Sequence, residues 1–445
     1  MRTISVVGLG YVGLSLAVAL GLKGFKVIGI DIDSRKISAI NKGLSPIKEP
    51  GVVENLPQLV REGLIEATND YKYAIEKTEV SLIAVNTPPL PDGRADLRQL
   101  KSALKSIGKV LSRDFHLVVI CSTIPPGTTS NFVKPILERV SGRKVGLDLG
   151  LAVMPEFLRE GSAVQDILHP WRVVIGVEDE KSKNFLLNNI IEILYREDLP
   201  VLIITNYVNA ELIKYTSNAF LAARVSFINT IARLCEALPG ADIDIVAYGA
   251  GLDPRIGTSY FVAGPGYGGI CLPKDLKALI KVFEDKNLTP VLLKAIDEVN
   301  EEQIRHVVKI TRRTLGDLKN KKICVLGLAF KAGTDDIRES PGVKIARKLV
   351  EEGADVKVYD PLALNNARKE LGALIKYAES LLDAVKGCDA IIITTNDIEF
   401  KKLNVDNLCK NMRRLVIIDT KRLLKNFKNK IIALGGKYYA IGLGY

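Results

Sequence analysis

The sequence is poor in the residues that bind transition metals. It contains six cysteines and three histidines among 445 residues. The cysteines form no C-x-x-C pair and no Cys/His cluster with the spacing of a zinc site. We therefore expect no metal, and we interpret most thiols as small core residues.

Long apolar runs are also missing. No run reaches the about 20 residues that span a bilayer. The N-terminal MRTISVVGLG lacks the charged start, long apolar segment and small-residue cleavage site of a secretory signal. We expect a cytoplasmic protein without a membrane partner.

The charge is biased towards one sign, with a formal net charge of +11. No basic run is interleaved with aromatic residues, so we do not expect nucleic-acid binding. The same charge suits a nucleotide or a sugar-nucleotide diphosphate. A hydrophobic content of 47% and this chain length indicate a globular protein of two or three domains.

One stretch, Gly264–Asp275, reads GPGYGGICLPKD and combines four glycines with Cys271, Lys274 and Asp275. Such glycines let a backbone approach a ligand closely, with N–H groups facing it, and the thiol is a possible nucleophile. A glycine-rich surface turn with an inert buried cysteine would look the same. The stretch alone does not decide between the two.

A dinucleotide fingerprint opens the chain. A short β-branched run at Ile4–Val7 leads into GLGYVG, an apolar helical stretch follows at Leu14–Leu22, and a strand at Lys26–Ile30 ends at Asp31. This order of strand, G-x-G-x-x-G turn, helix, strand and acid is the setting in which the motif binds a dinucleotide.

Each residue of the fingerprint has a physical reason. Gly8 allows the tight turn, Gly10 lets the pyrophosphate approach, and Gly13 lets the helix pack on the sheet. The helix N-terminus attracts the phosphate charge. Asp31 would accept hydrogen bonds from the adenosine ribose and disfavour a 2′-phosphate, which predicts NAD rather than NADP.

Further apolar runs predict strands at Val80–Val85, Leu117–Cys121, Leu151–Met154 and Arg172–Val177, the last closing the first domain. Polar or proline-rich residues follow the first three, at the edge where a doubly wound sheet binds ligands. We expect one crevice to be lined by Thr87, Ser122, Thr123, Glu156 and Glu160. The hydroxyls could instead cap helices, and the glutamates could form a solvated first turn.

Residues 206–238 form one helical pattern without glycine or proline. A helix of this length suits a connector between domains or between subunits. Lys214 and Asn218 lie four residues apart and share a face. They are either an exposed polar face or a pair that points into a site.

A second α/β set follows, with strands predicted at Lys321–Gly327, Asp355–Tyr359, Ala390–Thr394 and Leu415–Asp419. Its first turn lacks G-x-G-x-x-G, so we do not expect a second NAD site there, but it carries Lys331 and Arg338, cations suited to phosphates or a carboxylate. The predicted fold class is α/β, with two Rossmann-like doubly wound domains joined by a long central helix and a helical middle region. The predicted domains are residues 1–200, 201–315 and 316–445.

At this point the chain resembles the UDP-glucose/GDP-mannose dehydrogenase family from end to end. The matching stretches are GLGYVGL, NTPP, STIPPGTT, PEFLREGSA, ELIKYTSNAFLAARVSFIN, GLDPRIG, GPGYGGICLPKD and FKAGTDDIRESP. The glycine run with tyrosine and the LPKD ending are most similar to members that oxidise UDP-glucose. Ile270 departs from the serine usual there.

The resemblance implies a four-electron oxidation of C6 of a nucleotide sugar to a carboxylate, with two NAD⁺ reduced in turn. By matching positions, Cys271 attacks the aldehyde to form a thiohemiacetal and then a thioester, while Lys214 and Asn218 hold the oxygen. Asp275 helps to activate water. Thr123 and Glu156 are candidates for proton transfer.

The resemblance also implies contacts, a homodimer, and sugar-nucleotide binding in the third domain. Implied cofactor contacts are Gly8, Gly10, Tyr11, Val12, Gly13, Asp31, Lys36, Thr87, Ser122, Thr123, Glu160, Lys274 and Arg338. Implied substrate contacts are Glu156, Phe157, Leu158, Glu160, Lys214, Asn218, Arg255 (across a dimer), Tyr260, Gly264, Gly268, Cys271, Phe330 and Lys331.

Three alternatives stay open. The chain could be a two-electron NAD-dependent dehydrogenase of a hydroxy acid, in which Cys271 is structural. It could also be an NAD-binding regulatory or interaction protein without turnover. Within the family, GDP-mannose or a UDP-N-acetylhexosamine could replace UDP-glucose.

Overall fold

The computed structural model describes residues 2–112 and 114–444, and its chain divides into two compact units, residues 1–217 and 218–445. Each unit is built on a β-sheet covered by helices, and the strands are parallel throughout the second sheet and at all but one pairing of the first. Within the described residues, no helix has the length and apolarity needed to cross a membrane.

The sheet of the first unit has the strand order β3-β2-β1-β4-β5-β6-β7-β8. Neighbouring strands are parallel except β6 and β7, which meet in antiparallel register at Val153 and Gly176. The strands are β1 (Thr3–Val7), β2 (Lys26–Ile30), β3 (Ile65–Thr68), β4 (Val80–Ile83), β5 (His116–Ile120), β6 (Leu149–Val153), β7 (Arg172–Gly176) and β8 (Val201–Thr205).

Helices cover both faces of this sheet. They are α1 (Tyr11–Leu22), α2 (Ser34–Asn41), α3 (Pro50–Arg61), α4 (Tyr71–Glu76), α5 (Arg98–Val110), α6 (Lys134–Ser141), α7 (Ala163–Leu168), α8 (Glu180–Leu186) and α9 (Glu192–Leu194). Successive strand residues point to opposite faces, so Val6 joins one hydrophobic cluster and Val7 the other. Because the central strands are buried on both faces, they are continuously apolar.

A 31-residue helix, α10 (Tyr207–Ala237), confirms the predicted long helix. The helices that follow are α11 (Ile243–Gly251), α12 (Cys271–Asp285), α13 (Val291–Leu315), α14 (Pro341–Glu351), α15 (Leu364–Leu371), α16 (Leu381–Val385), α17 (Ile398–Lys401), α18 (Val405–Asn411) and α19 (Lys428–Ala433).

The sheet of the second unit is parallel throughout, in the order β11-β10-β9-β12-β13-β14. Its strands are β9 (Lys322–Leu326), β10 (Asp355–Tyr359), β11 (Lys376–Tyr377), β12 (Ala390–Ile393), β13 (Val416–Asp419) and β14 (Lys437–Ala440). The predicted fold class is thus confirmed.

One prediction about the first sheet differs from the structure. The predicted closing strand, β7, is followed by β8, which forms the actual edge. In the second unit, α12 begins at Cys271, which places the thiol at a helix N-terminus. Pro273 permits this start because the first-turn N–H groups of a helix have no partner within it.

Candidate active site

The glycine turn after β1 fits a dinucleotide. Gly8 has a φ of +91°, and a Cβ there would lie 2.8 Å from the carbonyl oxygen of Ala84. A Cβ on Gly13 would lie 1.8 Å from the carbonyl oxygen of Gly8, so α1 approaches the turn as closely as a backbone can. Gly10 has only the Asn86 Oδ1 near its Cβ position, at 3.8 Å. The turn therefore leaves a cradle in front of the N-terminus of α1, as dinucleotide phosphates require.

Asp31 is placed at the carboxyl end of β2, as the sequence predicts. Its Oδ2 accepts a hydrogen bond from the N–H of Leu9 at 2.9 Å, and its Oδ1 accepts one from the N–H of Asp33 at 2.9 Å. Lys36 Nζ lies 3.6 Å from the same carboxylate. Each carboxylate oxygen can accept a second hydrogen bond, which leaves capacity for a ribose hydroxyl.

Hydroxyl groups join the loops after β4 and β5. Thr87 Oγ1 donates to the carbonyl oxygen of Thr123 at 2.8 Å, and Ser122 Oγ donates to that of Val85 at 2.8 Å. These two hydroxyls bond loop carbonyls instead of capping helices. They hold Thr123 and Thr87 together, as expected of two residues that line one crevice.

The sequence reasoning missed Glu211, which fixes the other end of this loop. Glu211 is buried on α10 and accepts hydrogen bonds from the N–H of Gly127 at 2.5 Å and of Thr129 at 2.8 Å. Burial raises the pKa of this carboxyl group, although the hydrogen bonds oppose the rise. Its position three residues before Lys214 was the only available signal.

Glu156 and Lys214 form the main charged pair of the first unit. Glu156 Oε1 lies 3.1 Å from Lys214 Nζ, and Glu156 Oε2 accepts a hydrogen bond from the N–H of Leu158 at 2.8 Å. Lys214 is buried, and its Nζ lies 5.3 Å from the centre of the Phe157 ring. A buried ammonium beside a carboxylate can donate to a developing oxyanion while the carboxylate accepts a proton. A cavity opens beside this pair and is bordered by Phe157 and Arg172.

A second cluster lies at the start of α12. Asn218 Nδ2 donates to Asp275 Oδ2 at 2.6 Å, and Lys274 Nζ is paired with the other oxygen of Asp275. All three side chains are buried, whereas Cys271 is exposed at the first residue of the helix. A helix N-terminus stabilises negative charge, which suits a thiolate nucleophile.

Four other cysteines are buried and Cys409 is half-buried, which confirms the interpretation of most thiols as core residues. The prediction that Lys214 and Asn218 hold one substrate oxygen stays a prediction. Lys214 pairs with Glu156 in the first unit, and Asn218 donates to Asp275 in the second.

The glycine-rich stretch is held by a carboxamide clamp, which we define as Asn229, Asn300 and Gln303. Asn229 Oδ1 accepts from the N–H of Gly264 at 2.8 Å, and Gln303 Nε2 donates to the carbonyl oxygen of Gly264 at 2.8 Å. Asn300 bonds both the N–H and the carbonyl oxygen of Tyr267, at 2.8 and 3.1 Å. The expectation that the N–H groups of this stretch face a ligand is therefore wrong for these two residues, because buried amides occupy them.

The glycines are needed because side chains pack directly on them. A Cβ on Gly268 would lie 2.6 Å from the carbonyl oxygen of Glu339 and 3.0 Å from Phe330 Cβ. Gly269 donates its N–H to the carbonyl oxygen of Arg338 at 2.9 Å. The structure thus brings the loop after β9, which carries the predicted residues Phe330 and Arg338, onto the glycine-rich stretch.

Lys421 is a second residue that the sequence reasoning missed. A Cβ on Gly264 would lie 2.8 Å from Lys421 Nζ. Burial, with a smaller effect of Arg422, lowers the pKa of Lys421 to about 8. Its place directly after β13, at the carboxyl edge of the second sheet, was a signal that could have found it.

Arg255, Tyr260 and Lys331 are partly or largely exposed in the second unit. Arg255 pairs with Asp253 through Nε at 3.1 Å, and Tyr260 has a φ of +58°. Strained backbone of this kind clusters at functional sites. The substrate contacts of these three residues stay predictions.

The first unit carries a glycine turn and acid that fit a dinucleotide, and the second carries an exposed cysteine one helical turn before a buried carboxylate. These features are those of a dinucleotide-dependent dehydrogenase. Three models of one family match successive parts of the chain: the NAD binding domain at residues 2–198, the central domain at 208–302 and the UDP binding domain at 324–426. The chain belongs to the UDP-glucose/GDP-mannose dehydrogenase family, as its motifs indicated, and its cofactor is NAD. The predicted domain boundaries stay predictions.

Relatives span the whole chain. The UDP-glucose 6-dehydrogenase YwqF of Bacillus subtilis is 39% identical over 99% of this chain and 97% of its own length. The UDP-glucose 6-dehydrogenase of Rickettsia felis is 38% identical over 99% and 96%. A solved UDP-glucose dehydrogenase from Pyrobaculum islandicum superposes with a TM-score of 0.91 at 38% identity, covering 100% of this chain and 98% of that one.

Proposed function

We propose that the protein oxidises UDP-glucose at C6 to UDP-glucuronate through a covalent intermediate on Cys271. The observation that carries the proposal is the exposed Cys271 thiol at the N-terminus of α12, one helical turn before the buried Asp275. The names of the similar enzymes support UDP-glucose as the substrate. Their sequence identity supports the same chemistry.

Bound NAD⁺ supplies the hydride acceptor for each of two oxidations. In the first, Glu156 accepts the proton of the C6 hydroxyl, directly or through water, while Lys214 and Asn218 stabilise the forming oxygen charge. Removing one such donor costs roughly 3 kcal/mol of transition-state stabilisation in comparable sites. Cys271 then adds to the aldehyde and forms a thiohemiacetal.

The second oxidation converts the thiohemiacetal into a thioester. Water, ordered by Asp275 and Thr123, attacks the thioester carbon and releases the carboxylate and the Cys271 thiol. Because the aldehyde stays covalently attached, one site completes both oxidations without releasing it. One alcohol and one water therefore consume two NAD⁺.

Cations of the second unit would hold the nucleotide. Lys421 lies against Gly264, and Lys331 and Arg338 follow β9 at the same edge of the second sheet. Lysine and arginine near the carboxyl ends of parallel strands suit a diphosphate. The positive net charge of the chain favours the same ligand.

Counting NADH tests the proposal. We expect two NADH per UDP-glucose and, for Cys271→Ser, loss of the second oxidation with its thioester. Cys409→Ser, at a half-buried thiol, is the matched control and should keep the stoichiometry. One NADH per sugar with a fully active Cys271→Ser variant would reject the covalent scheme.

Ile270 favours a second candidate substrate, GDP-mannose or a UDP-N-acetylhexosamine, because it places an apolar side chain immediately before the nucleophile. Measuring kcat/KM on a panel of UDP-glucose, GDP-mannose and UDP-N-acetylhexosamines decides between UDP-glucose and these alternatives. The proposed substrate is wrong if UDP-glucose is not among the good substrates.

We also propose a homodimer. Phe220, Phe227 and Leu234 recur every seven residues on α10 and are 62%, 57% and 56% exposed. Ile245 and Tyr248 on α11 are 70% and 63% exposed. Large apolar side chains in such a stripe mark a surface for association, and a second copy offers the same stripe.

A further inference from the structure

The loop at residues 155–161, between β6 and α7, carries Glu156 and Glu160 and is called the acidic loop here. Its first half is fixed by Glu156, which accepts the N–H of Leu158 and pairs with Lys214. Arg159 is paired with Asp166 of α7 at 2.6 Å. The loop therefore has one attachment to α10 and one to α7.

The last residue of the acidic loop, Gly161, is held from a different part of the chain. Its N–H donates to Tyr11 Oη at 2.8 Å and to Glu49 Oε2 at 2.8 Å. The other oxygen of Glu49 accepts the N–H of Ala163 at 2.7 Å. Gly161 has a φ of +88°, a conformation that favours glycine.

Glu49 is completely buried. A buried carboxylate is costly unless it is hydrogen-bonded. Here one oxygen accepts the N–H of Gly161, the last residue of the acidic loop, and the other accepts the N–H of Ala163, the first residue of α7. The geometry is that of a fixed attachment, because a carboxylate with two such bonds cannot move without breaking both.

Tyr11 is the first residue of α1 and part of the glycine turn. The family resemblance implies a cofactor contact for it. Its hydroxyl nevertheless reaches a residue 150 positions away and bonds the backbone next to Glu160. The dinucleotide fingerprint does not explain this hydrogen bond between the Tyr11 hydroxyl and the acidic loop.

We propose that Tyr11 is a positioning residue for the acidic loop, acting with Glu49, so that its hydroxyl supports nucleotide-sugar binding rather than NAD binding. The identity of the sugar ligand rests on the proposed function. The position of the loop does not, since the contacts lie within the first unit.

The test compares Tyr11→Phe with the control Tyr73→Phe. Tyr73 lies on α4, and its hydroxyl donates to Glu66 at 3.1 Å. For Tyr11→Phe we expect KM for UDP-glucose to rise about five- to tenfold, the worth of one neutral hydrogen bond. KM for NAD should stay within about twofold. Tyr73→Phe should leave both constants unchanged. A rise in KM for NAD alone, or no change in either constant, overturns the proposal.

A second readout needs no substrate. Trp171 is the single tryptophan, and Arg159 of the acidic loop stacks over its ring at 5.4 Å. Displacement of the loop should change the emission of Trp171 in Tyr11→Phe and, more strongly, in Glu49→Gln, whose amide nitrogen cannot accept an N–H. Unchanged emission in both folded variants also overturns the proposal.

The two proposals fail in distinguishable ways. If the wild-type enzyme does not turn over UDP-glucose, the proposed substrate is wrong, and KM is measured with the best sugar of the panel. If the wild-type enzyme turns over a sugar and Tyr11→Phe matches it in KM and emission, the positioning role is wrong.

Discussion

Lys421 shows how strongly a fold can alter one residue. It follows β13, and its amine lies against Gly264. Burial of the amine lowers its pKa to about 8. The neighbouring Arg422 adopts a φ of +60° and donates to the carbonyl oxygen of Ala263 at 3.0 Å. This pair joins the end of β13 to the beginning of the glycine-rich stretch.

The pKa of Lys421 predicts a pH dependence of nucleotide binding. The amine is charged below pH 8 and neutral above it, so we expect the inhibition constant of UDP to rise as pH increases from 7 to 9.5. Lys421→Arg keeps the charge and should remove most of this rise. Lys421→Met should weaken UDP about tenfold at pH 7, as expected for a lost charged hydrogen bond.

The inhibition constant of UDP measures nucleotide binding alone, because UDP carries no sugar that could react with the Cys271 thiol. The Lys421→Arg variant is the control, since it differs from Lys421→Met in charge at similar length. An unchanged pH profile in Lys421→Arg would assign the titration to another group.

Residue identities in the site were predictable where a motif carries chemistry, and less so where a side chain acts through the fold. Cys271, Asp275 and Glu156 stand in recognisable stretches. The structure places Asp275 beside buried Asn218 and Lys274, and Glu156 beside buried Lys214. Glu211 and the carboxamide clamp lie on helices far away in sequence. Most of their hydrogen bonds go to backbone groups, and a backbone partner leaves no residue pattern in the sequence.

At the scale of elements, the strands that sequence reasoning missed are β3, β8, β11 and β14. These four are the two edges of each sheet. The sequences of β3, β11 and β14 lack the continuous apolar run that identified the central strands, because an edge strand is covered on fewer sides. β8 carries such a run, VLII, and was missed in spite of it. β8 is exposed or half-buried throughout, whereas β4, β5 and β12 are buried at every position.

The start of α12 was predictable from Pro273. Proline is favoured in the first turn of a helix, so a proline two residues after Cys271 indicates a start near the thiol. The carboxamide clamp then fixes the stretch that leads into this helix. The effect of the clamp on activity can be tested by substituting a glycine that packs against it.

Gly266→Ala should disable the site while the protein stays folded. Gly266 has a φ of +117°, and a Cβ there would lie 2.7 Å from Asn300 Oδ1. The clamp and the Cys271 region would have to shift, and we expect kcat/KM to fall about hundredfold, the effect of a misplacement of about 1 Å. Turnover and thermal unfolding are measured together.

Gly240→Ala is the matched control. Gly240 also has a positive φ, of +81°, but has nothing within 4 Å of its Cβ position. The substitution should cost about 1 kcal/mol of unfolding free energy through backbone strain and leave kcat/KM unchanged. Equal activity losses in both variants would show that strain alone, rather than the clamp, explains the effect.

For the whole molecule, the fold was predictable because strands alternate with helices at both ends of the chain, and the family was predictable because its motifs occur in order along the sequence. The surface of the proposed dimer could not be located from the sequence, because it depends on which apolar side chains stay outside the core. The sequence pattern of α10 is apolar all along, and only the structure separates buried Tyr215 and Ile228 from exposed Phe220 and Phe227.

Charge placed on the α10 stripe should separate the proposed dimer. Light scattering should give twice the 48.7 kDa chain mass for the wild type and a smaller mass for Phe220→Glu, because a carboxylate would be buried without a partner in the interface. Leu374→Glu is the control, since Leu374 is 79% exposed but lies in the domain of the second sheet. A monomeric wild type at micromolar concentration, or a dimer that survives Phe220→Glu but not Leu374→Glu, would contradict the stripe as the interface.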